Sequence, residues 1–301
     1  MSWKLVAFAP KHIVQTALAA HEAIDDWDPS IVLTGSEVTE SEPDKWVLEA
    51  YVPQHPTDEE RAAVAALFAG GTAPELVAEK LPDTDWVTET QKAVAPIRVG
   101  RFHVHTPDHP ANTTPGMIDL VIPAAQAFGT GQHATTAGCL AMLDEMKRRG
   151  VVARGIADIG TGTGLLALAA MRLWPWADAI ASDIDAVCEP VVEENVLLNG
   201  ARLGTLPGEL AMVVAEGMDD PLLCARAPYD LLIANILAGP LIELAGDFAD
   251  AVSPGGNILL AGLLEKQEAP VRAAYRTAGF RLAARLVNGD WSILWLRRRS
   301  V

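Results

Sequence analysis

Ile156-Ala157-Asp158-Ile159-Gly160-Thr161-Gly162-Thr163-Gly164-Leu165 reads as an apolar strand that runs into a glycine-rich turn and then into a helix. Glycines in such a turn let a ligand approach the main chain and let the helix pack closely on the strand. The dinucleotide fingerprint GxGxxG requires glycine at its sixth position. Position 165 is Leu, and the third glycine arrives one residue early. The spacing therefore weakens a nicotinamide-dependent oxidoreductase and leaves two readings, another nucleoside-type cofactor or a plain tight turn.

Reading outward, Ala179-Ile180-Ala181-Ser182-Asp183-Ile184-Asp185 ends a second strand, with Asp183 placed 23 residues after Gly160. A carboxylate there is placed to accept hydrogen bonds from both ribose hydroxyls, while Asp185 is the candidate cap of the helix that follows. A third strand leads to Glu216, which reads either as an adenine contact or as a solvated loop charge. Asp230-Leu231-Leu232-Ile233-Ala234-Asn235 delivers an amide to the carboxyl end of a fourth, the end at which open α/β sheets bind ligands. Upstream, Phe128-Gly129-Thr130-Gly131 and Thr135-Thr136 precede a long helix and form a candidate lid. Near-continuous apolar strands alternating with helices predict a parallel sheet covered on both faces. The fold class expected is α/β, a Rossmann-like domain preceded by a small α+β domain.

That smaller domain is read from residues 1–82, where strand, helix, two strands and a second helix fit the split βαβ pattern. Thr57 caps the second helix, with Asp58-Glu59-Glu60 in its first turn. Residues 83–96 read as a linker carrying Trp86, and residues 97–301 as the cofactor domain. Half of the 301 residues are hydrophobic and 21% are charged, which fits folded domains and excludes a disordered chain. No run is long and apolar enough for a membrane span, nor is a signal peptide read, so a cytoplasmic location is expected. The net charge is −16, and residues 1–82 contribute −9 from five basic and 14 acidic side chains. This field disfavours nucleic acid and favours a basic partner or an amine. Cys139, Cys188 and Cys224 are read as buried free thiols. His103 and His105 alternate on one strand face and His109 follows, but no Cys, Asp or Glu stands at a ligand offset in the sequence, so no metal is expected. Trp174 and Trp176 are read as packing residues, and Arg297 to Arg299 as a solvated tail.

The GxGxG turn with Asp158 two residues ahead resembles that of S-adenosylmethionine-dependent methyltransferases. Together with Phe128-Gly129-Thr130-Gly131, His133, Thr135-Thr136, Asp183-Ile184-Asp185 and Ala234-Asn235-Ile236-Leu237-Ala238-Gly239-Pro240-Leu241, it is similar to the PrmA-type ribosomal protein L11 methyltransferases across most of residues 84–301. The resemblance implies an N-terminal ferredoxin-like domain that recognises a basic ribosomal protein, and a class I methyltransferase domain that uses S-adenosylmethionine. It implies cofactor contacts from Phe128, Thr136, Asp158, Gly160, Gly162, Asp183 and Asn235, with Asn235 also orienting the amine. It names no general base; His133 is weighed for proton transfer against a structural role in the loop. Where the family has Asp-Pro-Gly before the lid, this chain has Pro123-Ala124-Ala125, and Thr90 stands where a second linker tryptophan is usual.

Overall fold

The computed structural model describes residues 3–22, 24, 27–28, 30–38, 44–68, 74–80, 95–123 and 132–300. The chain divides into two units, Met1–Trp86 and Val87–Val301.

The first unit runs β1 (Trp3–Pro10), α1 (Lys11–Glu22), β2 (Val32–Glu37), β3 (Lys45–Val52), α2 (Asp58–Ala66) and β4 (Val77–Lys80). Its sheet order is β2-β3-β1-β4 with every neighbour antiparallel, the ferredoxin-like arrangement. Leu5 and Ala7 of β1, Leu48 and Ala50 of β3, Val14 and Ala17 of α1 and Val64 of α2 form its core. The alternation along the strands and the i, i+3 spacing in α1 place these residues on facing surfaces. Thr57 forms a full capping box: its Oγ1 accepts from Glu60 N at 3.2 Å, and Glu60 Oε2 accepts from Thr57 N at 2.6 Å. Such a cap is worth about 1 kcal/mol. Strand β4 was not expected from the sequence; it has four residues and only Ala78 is partly covered, so it lacks a pattern to read.

The second unit opens with a small sheet, β5 (Ile97–Val99), β6 (Phe102–His105) and β7 (Ile118–Val121), then α3 (Gln132–Arg148). The main sheet follows from β8 (Gly155–Ile159), β9 (Asp178–Asp183), β10 (Leu210–Val214), β11 (Tyr229–Asn235), β12 (Val252–Leu264), β13 (Phe280–Asn288) and β14 (Trp291–Arg298). Their order is β10-β9-β8-β11-β12-β14-β13, with only β14 antiparallel.

Residues on β11 alternate between two cores. Leu231 and Ile233 join the layer containing α3, α4 (Leu165–Leu173) and α5 (Cys188–Leu198). Leu232 and Ala234 join the layer of α6 (Pro221–Arg226), α7 (Ala238–Glu243), α8 (Ala245–Ala251) and α9 (Glu268–Thr277). Each fully buried Leu or Ile contributes about 1.5–3 kcal/mol relative to exposure, which is why the middle of a strand buried on both faces is apolar and its polar residues lie near its ends. Trp174 packs as expected and donates Nε1–H to Val151 O at 2.9 Å. Trp176 is 84% exposed and corrects the packing assignment. Only Cys139 of the three thiols is buried. Arg297 and Arg298 are no free tail either: they belong to β14 and bond Gly255 O and Val252 O.

Candidate active site

At the carboxyl end of β8 the chain turns sharply, with φ of 70°, 57° and 77° at Gly160, Gly162 and Gly164. The amides of Gly160 and Thr161 both donate to Ser182 O, at 2.8 and 2.9 Å, which binds the turn to β9. A Cβ on Gly160 would lie 2.2 Å from Ile236 Cγ2, so this glycine permits close contact with the exit of β11. A Cβ on Gly162 would meet nothing within 4 Å. This open side is where a ligand can approach the main chain.

Asp158 lies beneath the turn, 1% exposed. Its Oδ2 accepts from Thr161 Oγ1 at 2.7 Å and from Ala167 N at 3.0 Å, whereas Oδ1 is buried without a partner among the described residues. Burial raises its carboxyl to about 6 despite those two bonds, and the nearby Asp183 charge adds to the rise. Asn195 Nδ2 donates to Thr163 O at 2.9 Å, holding the far side of the turn. Asn199 continues the support: its Oδ1 accepts from Val121 N, and its Nδ2 donates to Val121 O and Asn195 O. Neither asparagine was predicted as a site residue. A buried amide four residues from another on one helix face was the available signal.

Asp183 ends β9, and its Oδ2 accepts from Gly162 N at 2.8 Å while Oδ1 accepts from Asp185 N at 3.1 Å. It therefore shapes the glycine turn as well as facing the ligand end of the sheet. Asp185 Oδ1 accepts from Val187 N at 3.0 Å, closing the turn ahead of α5. Asn235 is the last residue of β11, and its Oδ1 is buried with no partner among the described residues. Glu216 is exposed beyond β10. Thr136 is buried within α3. Phe128, the loop of residues 124–131, Trp86 and Thr90 lie outside the described residues, as does the side chain of His133. The strand order β10-β9-β8-β11 brings Glu216, Asp183, the glycine turn and Asn235 to one edge of the sheet.

The histidine reading needs correction, because β6 and β7 pair in parallel and set Asp119 opposite His103. Asp119 Oδ1 lies 2.7 Å from His103 Nδ1, and Oδ2 lies 3.1 Å from His105 Nε2. A carboxylate thus stands where the sequence showed none, and this trio is the one group among the described residues with metal-ligating atoms so close together. Burial works to raise the Asp119 carboxyl, but bonds from Asn112 N and both imidazoles outweigh it and hold it below its ordinary value. The two rings lie near parallel, 5.0 Å apart, and the network ties β6 to β7.

The strand order, the single antiparallel strand and a glycine turn flanked by an acidic and an amide strand end define a class I S-adenosylmethionine-dependent methyltransferase. The residues fit that cofactor: Gly162 leaves the main chain open, Asp183 places a carboxylate at the strand end beside it, and Asn235 and Asp158 carry buried oxygens unpaired among the described residues. The profile of the family described as ribosomal protein L11 methyltransferase (PrmA) matches residues 12–299, and the chain belongs to that family. A ribosomal protein L11 methyltransferase of Agrobacterium fabrum is 36% identical over 294 residues, 95% of this chain and 98% of its own. Another, from a Caulobacter species, is 37% identical over 298 residues, covering 97% and 99%. A crystal structure of ribosomal protein L11 methylase from Lactobacillus delbrueckii subsp. bulgaricus superposes with a TM-score of 0.58 at 26% identity, covering 68% of this chain and all of that one. No described helix is long and apolar enough to cross a membrane.

Proposed function

We propose that this protein methylates amino groups of ribosomal protein L11, the lysine side chains and the N-terminal amine, in the cytoplasm. The observation that carries the reading is similarity to ribosomal protein L11 methyltransferases along nearly the whole of both chains. Residues 1–82 capture the basic substrate through their charge of −9, residues 83–96 link, and residues 97–301 catalyse. When bound, S-adenosylmethionine supplies an electrophilic methyl carbon.

The chain's own residues then bind and orient. Asp183 accepts from the ribose, Gly160 and Gly162 present main chain, Thr136 and Phe128 close the cofactor side, and Asp158 supports the turn. A lysine amine has an ordinary pKa of about 10.4 and attacks only when neutral, a form that burial favours. Asn235 cannot take up a proton. Its unpaired Oδ1 accepts a hydrogen bond from the amine or cofactor and fixes the approach, which is where orientation lowers the barrier.

The test is intact-mass spectrometry of purified L11 incubated with the protein and cofactor. Methyl increments are expected, and Asn235→Ala should slow them about 100-fold, the scale of losing one positioned polar group. Because that substitution removes an unpaired buried oxygen, stability should move by about 1 kcal/mol or less. No methylation of L11 by protein that binds the cofactor would overturn the substrate assignment.

A further inference from the structure

On the opposite edge of the main sheet, a cavity of about 490 Å³ is lined by Arg272, Arg276, Arg281 and Arg299, with no carboxylate among the described residues of its wall. The register fixes its place: Arg297 pairs with Asn257, and Asn257 with Leu231, four residues ahead of Asn235 on β11. At about 3.3 Å per residue this separates the cavity's edge of the sheet from the methyl-transfer edge by about 13 Å along the strands. Several strands separate it laterally from Asp183.

Charge is concentrated here against the trend of the molecule. Residues 269–301 hold seven arginines and one acidic residue, Asp290, in a chain of net charge −16. Glu268, at the start of α9, is already committed: Arg285 Nε and Ser292 Oγ bond its Oε2 at 2.6 and 2.7 Å, and Arg272 Nη1 bonds Oε1 at 3.0 Å. Arg276, Arg281 and Arg299 have no side-chain partner among the described residues. All three are exposed around the cavity, and an anion between them offsets the repulsion of their like charges.

A second observation is independent of charge. Tyr275 also lines the cavity, is fully buried, and its Oη has no hydrogen-bond partner among the described residues. Tyr275 and Phe280 meet edge to face, with ring centroids 5.7 Å apart. Buried hydroxyls almost always find a partner; this one is closed to solvent, so it donates to a ligand oxygen only when the cavity lining opens around it. Guanidinium forks match phosphoryl oxygens, and the volume lies within the range of small-ligand sites.

We infer that this cavity is a second ligand site, remote from methyl transfer, which takes a chain of two or more phosphoryl groups held by Arg276, Arg281 and Arg299, with Tyr275 at its base. The phosphoryl groups come from a free oligophosphate or from an RNA backbone, and one experiment distinguishes the sources. Pyrophosphate is titrated calorimetrically into the full chain at low salt, for the parent, for Arg276→Ala/Arg281→Ala and for Tyr275→Phe. The parent should bind; the double variant should lose at least tenfold in affinity and Tyr275→Phe a few-fold. All three should bind S-adenosylmethionine equally, which shows that each is folded. Displacement of pyrophosphate by a single-stranded RNA oligonucleotide assigns the site to RNA, and persistence of the pyrophosphate signal assigns it to free oligophosphate. Absence of pyrophosphate binding by the parent, or equal affinity in the double variant, overturns the inference.

Discussion

The two edges of the seven-stranded sheet make polar sites from different materials. At the carboxyl edge the groups are main-chain amides and short side chains, and each is fixed from below: Asp158 holds Thr161 and Ala167, Asn195 holds Thr163, and Asp183 holds Gly162. At the other edge the groups are long guanidinium side chains, three of them without a side-chain partner among the described residues. The first edge has surrendered its conformational entropy during folding and meets a ligand already arranged. The second gives up rotamer freedom only on binding, at a cost of about 0.5–1.5 kcal/mol per side chain. A reaction that needs atoms in line belongs at the first edge, and a site that needs only charge is served by the second.

Gly160→Ala should break the first edge most completely. It combines a backbone at φ 70° with a Cβ placed 2.2 Å from Ile236 Cγ2, and the two effects together should lower stability by about 2–4 kcal/mol. Gly162→Ala meets open space and should cost only the backbone term, about 1–2 kcal/mol. Urea unfolding of both variants separates packing from conformation; equal losses would show that contact with Ile236 does not constrain the turn.

Asp158 gives the next largest effect, through pH. Its folded value of about 6 lies above the ordinary 3.8 because it is buried. Between those values the folded state retains a proton that the unfolded chain has released, so this carboxyl's own contribution to stability is greatest below about pH 4 and is lost as pH rises through 6. The size is about 3 kcal/mol, from 1.36 kcal/mol per pKa unit. Asp158→Asn does not titrate, and its amide oxygen can still accept from Thr161 and Ala167. The unfolding free energy of the parent relative to this variant should therefore decline across pH 4–6. A difference that stays flat would mean that the carboxyl is hydrated and not perturbed.

What could be read in advance follows the same division between edges. The glycine turn, Asp183 and Asn235 stand at strand ends where residue type and spacing carry meaning, and the alternation of β and α fixed the sheet's class. The support beneath was hidden because Asn195 and Asn199 act through contacts 32 and 78 residues apart. Asp119 escaped notice for a related reason: only the parallel pairing of β6 with β7 sets it against His103. The arginines of the second cavity come from α9, β13 and the end of the chain, and the sequence showed only Arg297 to Arg299 as a run. Of those three, Arg299 alone lines the cavity. Helical i, i+4 spacing links only Arg272 with Arg276; the antiparallel pairing of β13 with β14 brings Arg281 and Arg299 to them.

A smaller effect than that of Asp158 tests whether Asp183 is a ligand or only a support for the turn. Its carboxylate accepts from Gly162 N and Asp185 N, so Asp183→Ala removes two loop contacts together with the acceptor for the ribose. Affinity for S-adenosylmethionine should fall by about 1.5–3 kcal/mol, the scale of hydrogen bonds to a charged group. Asp183→Asn separates the contributions, because its amide oxygen can keep the Gly162 bond while charge and one acceptor are lost. If the carboxylate binds the ribose directly, Asn should recover only part of the loss, and raising salt should narrow the gap between the parent and Asn variants little, since a half-buried charge is weakly screened. If the residue merely braces the turn, Asn should bind the cofactor as the parent does. Pyrophosphate affinity at the far edge should be the same in all three proteins, and a parallel decline there would show that the two edges are coupled through the sheet.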